Sequence, residues 1–286
     1  MDRIRRSVEL AKASWAVLRS ERSLAMFPVF GALASIVIVA VLAAIGWFTL
    51  GTSGTGDNET YSANIATYVI IGITYLGVAF AQTYFLAALV AGANERLQGR
   101  VASMSGSFTM ASSRISRIFG WSVVLATVSV ILRAIEDRAG FLGPIIAGFL
   151  GAAFNILTFL AVPIIMFEDL GPVNALKRSG VLFKQTWGEN LAAQVGMSVL
   201  GIIFFLPAIL IGALGVASGV VVIGVVGVGL GILIIIVGQV IISALSGIYR
   251  TALYRYAVDG TVPMAFASVD FQNAFGPKKK KSKLGM

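Results

Sequence analysis

Six runs of apolar residues set the limits on what this chain can fold into. The clearest runs from Pro28 to Leu50 without a charged side chain. A helix needs about 20 such residues to cross the hydrocarbon core of a bilayer. Further runs cover 66–93, 118–132, 141–167, 191–214 and 220–248, of which 118–132 is short for a span. Together they predict an all-α, polytopic membrane helix bundle of six transmembrane helices, with amphipathic helices on its cytoplasmic surface. Residues 1–257 read as a single transmembrane domain and 258–286 as a cytoplasmic tail with a polybasic end. Composition agrees, with 57% hydrophobic residues, 12% charged residues and a mean hydropathy of +0.90. Soluble domains carry about twice that share of charge. The first apolar run starts too late and continues too long for a cleaved signal peptide.

The distribution of positive charge predicts the orientation. With six spans and both termini on one side, only Arg133 and Arg138 of the 22 Lys and Arg residues fall on the other side. By the positive-inside rule the shared side is cytoplasmic. The same rule accounts for the net charge of +9 without invoking nucleic acid. The loop 51–64 carries Asp57 and Glu59 and no cation, as an outer loop should.

Three polar segments break up the apolar pattern. Residues 2–24 read as a surface helix with Ile4, Val8, Ala11, Trp15 and Leu18 on one stripe. Residues 94–117 should divide into two short helices at Ser103–Ser107. The third segment, 168–190, opens with Glu168, Asp169, Gly171 and Pro172. Pro suits the first position of a helix, and the two acids suit the dipole at its N-terminus. The helix then places Leu176, Ser179, Phe183 and Trp187 on one stripe, with Val181 as a misfit. Lys12 to Arg19 and Lys177 to Lys184 share a pattern, Lys-x-Ser-x-x-aliphatic-apolar-basic. With Ser113-Arg114 as a degenerate third copy, the chain would be three repeats: 1–93, 94–167 and 168–257.

The order of these features resembles a family of uncharacterised six-span bacterial integral membrane proteins, a domain of unknown function. The resemblance is carried by Ser14-Trp15-Ala16-Val17-Leu18-Arg19 with Phe27-Pro28, by Leu132-Arg133-Ala134-Ile135-Glu136, and by Pro163 followed by Glu168. Its most specific part is Gly171-Pro172 with Ala175-Leu176-Lys177-Arg178-Ser179, ending in Thr186-Trp187-Gly188-Glu189. Phe154 stands where the resemblance leads one to expect Trp, so no role for that ring is carried over. A looser likeness, over Pro163 to Trp187, is to membrane domains that accompany glycerophosphodiesterases. The resemblance implies a fold and no activity.

The chain has no Cys and no His, which removes disulfides, thiolate chemistry, an imidazole base and the usual transition-metal ligands. No metal, cofactor or catalytic residue is expected, and the chain reads as non-enzymatic. Inside the spans the polar candidates are Gln82, Asn155, Gln194 and Gln239. Such amides most often hydrogen-bond between helices and only sometimes line a path. Arg133, with Glu136 and Asp137 close by, is expected to snorkel and pair locally. Gly227 and Gly231 form a small-xxx-small pair suited to close helix packing. On the cytoplasmic face, Lys177, Arg178, Lys184, Lys278, Lys279, Lys280 and Lys281 are candidates for binding anionic lipid head groups or a partner. The expected role is a scaffold, lipid-interacting or accessory component of the membrane, with a homo-oligomer or membrane-protein partner in view. The alternative is a small-molecule transporter or channel with a polar path near Asn155 and Gln239.

Overall fold

A computed structural model describes residues 2–50, 65–187 and 195–267. All regular secondary structure among them is helical. The α-helices are α1 Asp2–Ser20, α2 Met26–Leu50, α3 Ile65–Leu97, α4 Met104–Ser113, α5 Ile115–Arg138, α6 Gly143–Leu157, α7 Ala161–Glu168, α8 Pro172–Trp187, α9 Val195–Ala217 and α10 Val221–Asp259. Five helical stretches are long and apolar enough to cross a membrane: 22–48, 65–97, 115–138, 140–168 and 221–259. That count is consistent with a multi-pass membrane protein. A sixth apolar stretch, Phe204–Ala217 within α9, is shorter. The loop acids Asp57 and Glu59, Gln194, and the tail lysines from Lys278 to Lys281 lie outside the described residues.

Two local expectations need correcting. The break in the 94–117 segment falls at 98–103, where Gly99 takes a φ of +79°, and Ser105–Ser107 lie inside α4. Serines are tolerated in a helix, whereas a left-handed φ all but requires glycine, so the glycine sets the break. The apolar run 141–167 is two helices, α6 and α7, interrupted by a turn at 158–160. Pro163 explains the interruption. It cannot donate to the carbonyl of Phe159, and its ring would clash with that carbonyl in a continuous helix.

The chain divides into two compact units, one of which holds 26–91 and 104–179. In it α5 packs on α6, and Gln82 Nε2 on α3 donates to Ser35 Oγ (2.9 Å) and to the Gly31 carbonyl (3.2 Å) on α2. Phe27, Phe30, Tyr84, Phe85 and Phe108 cluster, with Phe27 edge-on to Phe108 at 5.2 Å between ring centres. The residues around Glu168 fasten α7 and α8. Arg178 Nε donates to Glu168 (3.1 Å), and Arg114 and Arg117 both pair with Asp169 (2.8 and 3.5 Å). Asp169 carries the turn with a φ of 52°, a conformation in which Asp is among the less disfavoured residues. Both acids are thus engaged by arginines. At the break, buried Ser179 Oγ accepts the Leu160 N–H (3.2 Å). Ala175, Ser179 and Leu182 form the buried stripe of α8, turned slightly from the expected one, and this leaves Val181 exposed.

The other unit holds residues 2–25, 92–103 and the described residues from 180 onward. Here α10 pairs along α9, and α1 lies on both. The buried face of α1 is Leu10, Ala13, Ser14, Val17 and Leu18, with Trp15 47% exposed. The helix is apolar on more than one side, and packing on α10 selects the 10/13/14/17 face over the 11/15 face predicted from spacing. Along α10 the surroundings change. Residues such as Val221, Val222, Val225 and Val226 are exposed, but Ala244, Leu245 and Gly247–Tyr249 are buried, as are Thr251–Tyr254. Tyr249 and Tyr254 therefore point into protein.

Candidate anion-binding groove

Four pieces of the second unit converge on one open groove of about 630 Å³. Its walls are the last turn of α1 (Ala16, Val17, Ser20), the end of α3 from Arg96 to Gly99, Arg255 near the end of α10, and the segment from Thr261 to Ala265. The local sequence explains each wall. Gly260 caps α10 with a φ of +67° and donates its N–H to the Tyr256 carbonyl (3.0 Å). That left-handed cap reverses the chain, and fully buried Phe266 anchors the returning segment beside α1. Gly99 turns the chain away after Arg96 in the same manner.

The two arginines in the groove differ in charge compensation. Arg255 Nε donates to Asn94 Oδ1 (2.8 Å), and its Nη1 reaches Asp259 (3.0 Å). It is held from two sides and neutralised. Arg96 Nε donates to Ser20 Oγ (3.1 Å), while the Ser20 hydroxyl donates to the Val17 carbonyl (2.8 Å). Among the described residues no carboxylate pairs with Arg96. Neighbouring Glu95 is taken by Arg100 (2.9 Å), and that hydrogen bond raises the Arg100 guanidinium above its ordinary value. A guanidinium has five N–H donors in a planar fork, so Arg96 keeps four and a full charge. The remaining lining is mostly apolar: Val17, Leu97, Val262, Pro263 and Met264, the last 94% exposed. Such a site can hold an anion that carries an apolar body. Among the described residues no cluster of carboxylates suits a metal.

The residues singled out from sequence are dispersed. Lys177 and Lys184 are exposed on α8, while Arg178 is committed to Glu168. Asn155 belongs to one compact unit and Gln239 to the other, each on an exposed face. Gln82 bonds to α2 as described. Gly227 and Gly231 face α9, where an added Cβ would come within 2.9 Å of Gly215 Cα and 2.7 Å of the Ala208 carbonyl oxygen. Arg133 Nη1 approaches the Tyr75 hydroxyl (3.5 Å) and pairs with neither Glu136 nor Asp137. Sequence reasoning missed Ser20, Asn94, Arg96 and Arg255 as a set. The one signal was Arg255 four residues before Asp259, which marks a paired arginine but not the unpaired one beside it.

The model of a family of unknown function, DUF6159, matches residues 63–264. The chain belongs to this family. The DUF6159 match takes in Arg96, Arg255 and most of the segment after Gly260, while Ser20 and the rest of α1 fall before it. No curated protein and no solved structure matches the chain.

Proposed function

We propose that this DUF6159 protein is a non-enzymatic component of a bacterial cytoplasmic membrane, a scaffold or accessory protein that interacts with anionic lipid. In this reading six helices span the bilayer, with α9 as the sixth, both termini are cytoplasmic, and α1 and α8 lie along the cytoplasmic face. The observation that carries the reading is the change along α10. Its first half exposes a continuous apolar surface, and its second half is enclosed by protein and ends at a groove lined by arginines. An exposed apolar surface of that extent needs lipid or a partner against it. The cations at its end suit the negative cytoplasmic leaflet. Partners are then membrane lipids and, on the exposed helix faces, a second copy or another membrane protein.

The reading is tested by native mass spectrometry of protein purified from membranes, which reports bound lipid and oligomeric state together. Co-purified anionic lipid is the expected result. Recovery of the chain in the soluble fraction, or with no bound lipid, would overturn it. The transporter or channel reading has less behind it, because the amides it relies on, Asn155 and Gln239, each lie on an exposed face of their own helix.

A further inference from the structure

We infer that the groove seats the phosphodiester head of one anionic glycerophospholipid, and that Arg96 takes the phosphate. The inference deepens the proposed membrane role and rests on it. Charge is the first support. Arg255 already has Asp259, and Arg100 has Glu95, so the groove keeps one uncompensated cation. Arg96 is also held ready: Ser20 fixes its Nε through a hydroxyl whose own proton is occupied by the Val17 carbonyl. The free edge of a guanidinium fits two phosphate oxygens at once.

The lining and position point to a lipid as the source of that phosphate. Inorganic phosphate needs polar groups all around it, yet Val17, Leu97, Val262 and Met264 present apolar surface to the same space. Met264 is almost fully exposed, as expected of a side chain that lies against acyl chain or glycerol backbone. A volume of about 630 Å³ is ample for a head group with its glycerol. Arg255 stands about 10 Å along α10 beyond Ile248, where the apolar run ends. The head-group layer reaches about 5–7 Å beyond the hydrocarbon core on each side, so the groove stands at the outer edge of that layer.

The experiment places the full-length protein in nanodiscs of phosphatidylglycerol or of phosphatidylcholine and counts retained lipids by native mass spectrometry. Retention of phosphatidylglycerol over phosphatidylcholine is expected for the wild type. Arg96→Gln should lower retention about fivefold, the equivalent of one basic side chain at an anionic surface, and Arg96→Lys should restore part of it. Met264→Glu adds a carboxylate at the groove lip without touching the core, and it should lower retention as well. Arg138→Gln removes the same charge from an exposed residue that the six-span reading puts on the opposite side, and should change nothing. If the wild type holds phosphatidylglycerol and both Arg96→Gln and Met264→Glu hold it equally, the groove is not the site, although the membrane reading stands. Protection of the wild type by inorganic phosphate alone, with no preference between the two lipids, would also overturn the inference. A wild type that retains no lipid would remove both readings.

Discussion

Ser179 performs a task that no composition statistic reveals. Its hydroxyl oxygen is the acceptor for the Leu160 N–H at the turn between α6 and α7, in a region where no water competes. Ser179→Ala should therefore leave a buried donor unpaired and cost about 1–3 kcal/mol. The cost would appear as a lower unfolding midpoint in detergent; an unchanged midpoint would mean that Leu160 has another acceptor. Glu168→Gln offers a contrast at the neighbouring pair. The Arg178 and Glu168 side chains are 38% and 23% exposed, so losing their charge attraction should cost no more than about 1 kcal/mol. The sequence marked Ser179 through its place in the Lys-x-Ser pattern, and Ser14, its counterpart there, is likewise fully buried. What it could not supply was the partner. The Leu160 N–H becomes an orphan only because the helix stops ahead of Pro163, and a proline alone does not say whether a helix bends or breaks.

At the scale of elements, the glycines of α10 separate into two kinds that look alike in sequence. A Cβ on Gly231 would sit 2.7 Å from the Ala208 carbonyl oxygen, whereas one on Gly229 would meet nothing within 4 Å. Gly231→Ala should thus force α9 and α10 apart and cost about 1–3 kcal/mol. Gly229→Ala should be neutral or slightly stabilising through helix propensity. Chemical unfolding of the two variants in the same detergent checks the difference, and equal effects would contradict the α9–α10 pairing. The small-residue spacing was legible because glycine has few other uses in an apolar helix. The buried face of α1 was not, since Leu10 and Val17 compete with Ala11 and Trp15 for the same description. Only contact with α10 breaks the tie.

For the whole molecule, the runs of apolar residues and the asymmetry of charge were enough to read an all-helical chain with several membrane-length helices, because both signals extend over tens of residues. The groove was not legible. It joins Ser20, Arg96, Arg255 and Met264 across most of the sequence, and the three polar residues among them have ordinary neighbours. The six-span reading makes a direct prediction, helped by the absence of native cysteine. Single cysteines at exposed Val101, Ala139 and Ala217 should be labelled by an impermeant thiol reagent from opposite sides. Val101→Cys should react from the cytoplasmic side, and Ala139→Cys and Ala217→Cys from outside. Labelling of Ala217→Cys from the same side as Val101→Cys, with Ala139→Cys still labelled from outside, would leave an odd number of crossings missing between 139 and 217 and remove α9 from the count of spans.

The 39 residues of α10 give it a length of about 58 Å, close to twice the depth of a hydrocarbon core. A rod that long works as a gauge. Its apolar half must follow local bilayer thickness by tilting, and because the helix continues unbroken to Asp259, any tilt carries Arg255 with it. The height of the groove above the lipid surface would then depend on how thick the membrane is around the protein. Thinner lipid, by increasing the tilt, would draw the arginine end down towards the phosphates, and thicker lipid would let it stand up away from them.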